Sequence, residues 1–142
     1  MRSELWDIIK MAKAGQFDRA LQAAQRIKDA RYRSWAHKGI AKAMAKAGQF
    51  DRALETAQKI EDALDRSEAL RDIGAALAKA GQFDRALKTA QKIDNASDRS
   101  AVLTDIAVAL AESGQLNRAV KVAKMINNSV HRLLALAAIS RW

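Results

Sequence analysis

The stretch MAKAGQFDRAL occupies residues 11–21 and recurs unchanged at residues 44–54. A third copy, LAKAGQFDRAL, lies at residues 77–87, and a weaker copy, LAESGQLNRAV, lies at residues 110–120. Each copy begins 33 positions after the one before it, so the chain consists of tandem units of one size. This register predicts a single repeat domain over residues 1–142, with units at 1–33, 34–66, 67–99 and 100–132 and a terminal half-unit at 133–142.

Apolar residues within a unit follow the period of an α-helix. In the third unit Leu70, Ile73 and Leu77 lie at i, i+3 and i+7, and helical spacing resumes between Phe83 and Ile93. The two-residue alternation that a strand needs does not occur. A glycine separates the two helical segments of every unit, at a place where a helix end commonly requires positive φ. These glycines are Gly15, Gly48, Gly81 and Gly114.

Capping residues mark the second boundary of each unit. A recurrent isoleucine is followed two positions later by Asp29, Asp62, Asn95 or Asn128, and Asp and Asn are preferred helix N-caps. With the glycine turns, these caps predict nine helices joined by very short connections. The predicted helices are 3–13, 16–28, 30–46, 49–61, 63–79, 82–94, 96–112, 115–127 and 129–141.

Units of this kind resemble the tetratricopeptide repeat, TPR. The resemblance depends on the spacing of large and small packing residues in the third unit: Leu70, Ile73, Gly74, Leu77, Gly81, Phe83 and Ala86. It implies an all-α fold, namely a right-handed α-solenoid of tandem helix-turn-helix repeats with about nine helices. It also implies a non-catalytic protein–protein interaction scaffold, which binds a peptide or protein in a concave groove lined by the first helix of each pair.

The composition argues against catalysis and against a bound cofactor or metal. The chain has no Cys, which removes thiol nucleophiles and cysteine-based zinc sites, and His37 and His131 have no metal-ligand spacing. No nucleophile with a base, paired carboxylate or phosphate-binding glycine loop occurs. No run of about 18 apolar residues occurs either, so we expect a cytoplasmic protein that does not contact membranes.

Most of the candidate binding residues lie in the stretch RYRSWAHKGIAKAMAKAG at residues 31–48, which departs most from the other repeats. The chain carries a net charge of +9, and residues 8–48 hold 10 basic and 2 acidic side chains. Three lysines of this segment follow one another at i+4 spacing on one helical stripe, and a peptide with an acidic segment is the partner such charges favour. The alternative is a solvated lysine face whose stems cover apolar surface. The predicted peptide-binding residues are Arg31, Trp35, Lys38, Lys42, Lys46, Arg71 and Lys79.

Two other functional hypotheses stay open. The near-identity of the units also fits an engineered or recently amplified repeat array without a selected ligand. An RNA-binding helical repeat is suggested by the charge and by Tyr32 and Trp35 as stacking surfaces, although any nucleic-acid binding is expected to be non-specific. An arginine recurs once per unit, and we expect these arginines to be structural rather than to form a phosphate ladder, because Arg33 and Arg66 lie four residues after Asp29 and Asp62 and can pair with them. They are Arg33, Arg66, Arg99 and Arg132.

The last segment, SVHRLLALAAISRW at 129–142, has apolar residues around too much of a helix for one neighbour to cover. An exposed apolar patch of this kind marks an interface, so we expect a homodimer or end-to-end self-association. The alternative is an array whose next unit would cover these residues. The predicted self-association residues are Leu133, Leu134, Leu136, Ile139 and Trp142.

Overall fold

The computed structural model describes residues 2–142, and this range folds into nine α-helices with no β-strand. Long and short helices alternate after the first, as the repeat predicts. The helices are α1 (Arg2–Lys13), α2 (Phe17–Gln25), α3 (Ala30–Lys46), α4 (Phe50–Gln58), α5 (Ala63–Lys79), α6 (Phe83–Gln91), α7 (Ala96–Glu112), α8 (Leu116–Lys124) and α9 (Ser129–Ile139). Helices α3, α5 and α7 begin 33 positions apart and coincide with the predicted bounds.

Both kinds of helix boundary form as the sequence predicts. At the start of α3, α5, α7 and α9 a side-chain oxygen accepts a hydrogen bond of 2.9–3.0 Å from a backbone N–H of the first turn. The acceptors are Asp29, Asp62, Asn95 and Asn128. Each turn glycine has φ between 78° and 86°, a conformation that other residues rarely adopt.

The short helices end about three residues earlier than predicted, as α2 does at Gln25 rather than at residue 28. Their last turn tightens, because Arg26 N–H donates to Ala23 O at 3.2 Å and Ile27 N–H donates to Ala24 O at 3.1 Å. Ile27 is then buried at 3% exposure, and the next helix needs its N-cap Asp29 in extended conformation. The helical spacing of apolar residues continues through Ile27, but α2 itself ends at Gln25.

The contacts divide the chain into two compact units, Met1–Ile73 and Gly74–Trp142. Each of them is larger than one 33-residue repeat, and from here on the terms first unit and second unit refer to these two. In the first unit α1 packs against α2 and α3, and α3 packs against α2 and α4. In the second unit α7 contacts α6, α8 and α9, and α8 also contacts α9. The expectation of one domain over the whole chain stays a prediction.

The core of each unit consists of branched aliphatic residues packed over alanines. Two glycines within helices lie against a side chain of another helix: a Cβ on Gly39 would collide with Ile9 Cδ1, and one on Gly74 would lie 2.7 Å from Val102 Cγ1. Phe83, one of the packing residues of the repeat pattern, is only half-buried, and the Arg118 guanidinium carbon lies 5.9 Å from the centroid of its ring. The largest fully buried side chains are Ile40, Met44, Ile60, Ile73, Leu77, Ile93, Ile106, Leu110 and Ile126.

No helix within residues 2–142 is both long enough and apolar enough to cross a membrane.

Candidate functional site

Helix α3 carries five of the seven predicted peptide-binding residues. At its start Trp35 is 44% exposed, and its ring packs edge-to-face on Tyr32 with 5.2 Å between the ring centroids. Arg31 lies over the other ring of this pair, with its guanidinium carbon 5.8 Å from the Tyr32 centroid, while it also pairs with Asp29 at 3.3 Å. This end of α3 therefore presents an exposed aromatic surface beside a cation.

Farther along α3, two of the lysines are neutralised within the protein. The Lys38 ammonium donates to Asp65 Oδ1 and Glu68 Oε2, each at 3.0 Å. The Lys42 ammonium lies 3.1 Å from both Glu68 Oε1 and Asp72 Oδ2. The three acids come from successive turns of α5, so each lysine lies between two carboxylates. The alternative of a solvated lysine face therefore does not apply at these two positions.

These contacts shift the pKa values of Lys38 and Glu68. Burial alone would lower the pKa of Lys38, but the hydrogen bonds to Asp65 and Glu68 outweigh it and raise that pKa. The hydrogen bond from Lys38 lowers the pKa of Glu68 despite burial, and Lys42 adds to the effect. Both partners of the pair are therefore charged at neutral pH, and neither lysine is available without displacing an acid of α5.

A cavity of about 440 Å³, called pocket A below, lies between α1 and α3 in the first unit. Its polar side chains are three lysines: Lys13 at the end of α1, and Lys42 and Lys46 on α3. None of the residues that line it within the described chain is acidic. The remaining lining residues are Ile9, Ala12, Gly15, Phe17, Gly39, Ala43 and Ala47.

The three lysines of pocket A differ in their availability. Lys42 faces the acids of α5, whereas Lys13 and Lys46 are exposed and form no ion pair with any residue in the range 2–142. Lys13 was missing from the predicted site. The sequence does contain a signal for it, because Lys13 and Lys46 occupy the same position of consecutive repeats.

The second unit has a cavity at the equivalent repeat positions, called pocket B below, with a volume of about 300 Å³. Lys79 lines it in the place that Lys13 has in pocket A, and Asp105 and Glu112 lie where pocket A has Gly39 and Lys46. The same place in the fold thus carries three lysines in one unit, and one lysine with two acids in the other.

The predicted residues Arg71 and Lys79 do not line pocket A. Arg71 lies 3.8 Å from Glu68 and 3.7 Å from Asp72, so it belongs with the network of α5 acids. Lys79 lies in the second unit. The structure gathers Lys42 and Lys46 with Lys13, and leaves the other predicted residues outside that cavity.

The recurrent arginines have a different partner from the one expected. Each guanidinium donates to the backbone carbonyl of the recurrent isoleucine six positions earlier, at 2.7–3.2 Å, and this contact replaces the pairing with Asp29 and Asp62 that was predicted for Arg33 and Arg66. Arg33 also reaches Glu61 at 2.7 Å. These carbonyls lie beyond the end of a short helix, where they have no intrahelical partner. The arginines therefore stabilise the turn that follows each short helix.

The predicted self-association residues are only partly exposed. Leu133, Leu134 and Trp142 are 68%, 62% and 60% exposed, but Ile139 is 5% exposed and Leu136 is half-buried. These last two were wrongly placed on the exposed face, because α9 packs on α7 and α8 and needs an apolar face of its own there. The exposed patch is therefore narrower than predicted.

Within residues 2–142, no group of three or more His, Cys, Asp or Glu side chains is arranged to hold a metal ion.

No protein-family model matches the chain, and no curated protein matches it. Among solved structures, the crystal structure of Ton1535 from Thermococcus onnurineus NA1 aligns with 96% of this chain at 19% sequence identity and a TM-score of 0.40. This chain spans 45% of the length of that protein. The all-α assignment accordingly depends on the helices described above.

Proposed function

We propose that this protein is a non-catalytic scaffold that binds a peptide or protein through the surface formed by α1 and α3. The observation that carries the proposal is that Lys13 and Lys46 have no acidic partner while they flank an apolar cavity. Such a combination of a few polar groups with an apolar wall is typical of binding sites. The TPR-like repeat supports the same function, because that family uses the first helices of its hairpins for binding.

The ligand favoured by this surface is an acidic peptide. Lys38 and Lys42 already have carboxylate partners on α5, so the attraction for a ligand comes mainly from Lys13 and Lys46. The exposed Trp35 adds a large apolar contact on the same helix. We therefore centre the peptide site on Lys46 rather than on Lys38, and leave Arg71 and Lys79 outside it.

Fluorescence anisotropy with a labelled peptide of Glu and Leu residues tests this proposal. The same peptide with Lys in place of Glu is the control ligand. We expect the acidic peptide to bind and the basic one to fail, and Lys46→Glu to weaken binding several-fold because it places like charges together. Lys121→Glu makes the same charge change on an exposed residue of α8 and should leave binding unchanged. Equal affinity for both peptides would contradict the proposal.

Reversal of Lys38 and Lys42 is a poor test, since it would place glutamates against Asp65, Glu68 and Asp72. The resulting repulsion within the protein would confound any loss of binding.

The same titration separates the two alternative functions. A single-stranded RNA probe should bind weakly and lose its affinity steeply with salt, because phosphate neutralisation supplies most of such binding. Sequence-selective RNA binding at about 150 mM salt would favour the RNA-binding alternative instead. If neither peptide nor RNA binds, the remaining alternative is a repeat array without a selected ligand.

A further inference from the structure

The size and wall of pocket A suit a small aliphatic group. Its volume of about 440 Å³ falls in the range of about 300–1,000 Å³ that is usual for small-molecule sites. Ala12 and Phe17 in its wall are 1% and 4% exposed, and Ala43 adds a methyl group from α3. An aliphatic chain in this cavity would leave water without losing any hydrogen bond.

The rim of pocket A determines the charge of such a group. Lys13 and Lys46 lie one on each helix and have no carboxylate partner within the described residues. An ammonium group offers three donors and no acceptor, so the ligand atoms that fit between these lysines are anionic acceptors. A carboxylate placed there would receive charge-assisted hydrogen bonds from both helices.

Pocket B provides an internal comparison. It occupies the equivalent repeat positions, yet Asp105 and Glu112 contribute two negative charges to its wall. A carboxylate in pocket B would meet like charges, whereas in pocket A the position equivalent to Asp105 is Gly39 and carries no charge. The wall of pocket B is therefore less favourable to an anion than the wall of pocket A.

We infer that pocket A is a binding site for aliphatic carboxylates, with the carboxylate between Lys13 and Lys46 and the hydrocarbon against Ala12, Phe17 and Ala43. This inference goes beyond the proposed peptide scaffold, because a free small molecule meets its requirements. A peptide that carries an acidic residue beside an aliphatic side chain presents the same chemistry.

Isothermal titration calorimetry of the whole chain with octanoate tests the site. Acetate supplies the carboxylate without the chain, and octylammonium supplies the chain with the opposite charge. We expect octanoate to bind one molecule per chain and octylammonium not to bind. Acetate should bind at least about tenfold more weakly, since it leaves the apolar wall uncovered. Octanoate binding that is no tighter than that of acetate or octylammonium would overturn the inference.

Variants locate the binding. Ala43→Leu fills pocket A and should abolish octanoate binding, whereas Ala109→Leu makes the same change at the equivalent position of pocket B and should have no effect. Lys13→Gln combined with Lys46→Gln should weaken binding about tenfold or more, the effect of losing hydrogen bonds from charged donors. These two lysines are exposed, so this second variant keeps the test valid if Ala43→Leu fails to fold.

The peptide experiment tests the scaffold proposal and the octanoate experiment tests the pocket, so either can be refuted without the other. Peptide binding without octanoate binding would refute the pocket and leave the scaffold proposal standing. Octanoate binding without peptide binding would refute the scaffold and leave the pocket, with the free small molecule as its ligand. Octanoate binding that survives both the filled pocket and the lysine variant would place the ligand elsewhere and overturn the inference.

Discussion

His37 is a polar residue at a position that packs as core. Its repeat equivalents Leu70 and Leu103 are 3% and 4% exposed, and His37 itself is 5% exposed. Its Nε2 has no hydrogen-bond partner within the described chain. Burial lowers the pKa of His37, and the nearby cations Lys59 and Arg33 lower it further, with Glu61 opposing them. The histidine is therefore buried in its neutral form with one ring nitrogen unsatisfied.

Replacement of His37 by the leucine of the other repeats should stabilise the protein. We expect about 1–2 kcal/mol at pH 8, because His37→Leu removes an unsatisfied buried polar atom. The folded-state pKa lies below the 6.5 of the unfolded chain, so the unfolded state binds more protons as the pH falls below 6.5. The parent therefore loses free energy of unfolding below pH 6.5, whereas His37→Leu has no histidine at this position and does not show this loss.

Urea unfolding of parent and His37→Leu at pH 8 and pH 5 measures both effects. The stability difference between the two proteins should be larger at pH 5. A variant that is less stable than the parent, or a difference that does not change with pH, would show that His37 has a partner that compensates for its burial.

The repeat motif fixes the starts of the long helices more firmly than the ends of the short ones. Asp29 and the other caps bond their own first turns, so local sequence is sufficient to define these starts. A short helix instead ends where Ile27 and its equivalents turn into the core and an arginine binds their carbonyls. That arrangement depends on contacts across a turn, which a helical period does not encode.

The candidate site also combines a feature that the sequence predicts with features that depend on contacts between helices. The lysine stripe on α3 is visible in the sequence because it depends on the pitch of one helix. The acids that neutralise Lys38 and Lys42 are 26–30 residues away on α5, and pocket A exists only because α1 packs on α3. Charge sums along residues 8–48 therefore exaggerate the basic character of this surface.

Truncation to alanine should distinguish a core position from a half-buried position in the hairpin formed by α5 and α6. Leu77 is 0% exposed, and we expect Leu77→Ala to cost about 2–5 kcal/mol of unfolding free energy, through lost burial and a cavity. Phe83 is half-buried beneath Arg118, so Phe83→Ala should cost less. Chemical denaturation of the two variants gives the comparison, and a greater loss for Phe83→Ala would show that the aromatic ring is the more important packing element.

For the whole chain, the net charge and the exposed apolar surface have opposite effects on self-association. The net charge of +9 opposes association of identical chains, most strongly at low salt. The exposed leucines and tryptophan of α9 favour it. In the other long helices the position equivalent to Leu133 holds Ser34, Ser67 or Ser100, which are 2–9% exposed. A large apolar side chain is therefore exposed at a position where the other repeats have a small, covered one.

We accordingly predict that the chain self-associates through Leu133 and Leu134 of α9. Light scattering at micromolar concentration should give a mass above the 15.6 kDa of one chain. Leu133→Glu should lower the mass to that of one chain, because a buried carboxylate in the interface would be strongly unfavourable. Leu64 on α5 provides a matched control, since it is 67% exposed against 68% for Leu133. Leu64→Glu adds the same charge and should leave the association unchanged. A parent protein that is monomeric at 15.6 kDa, or equal dissociation by both variants, would mean that α9 is not the interface.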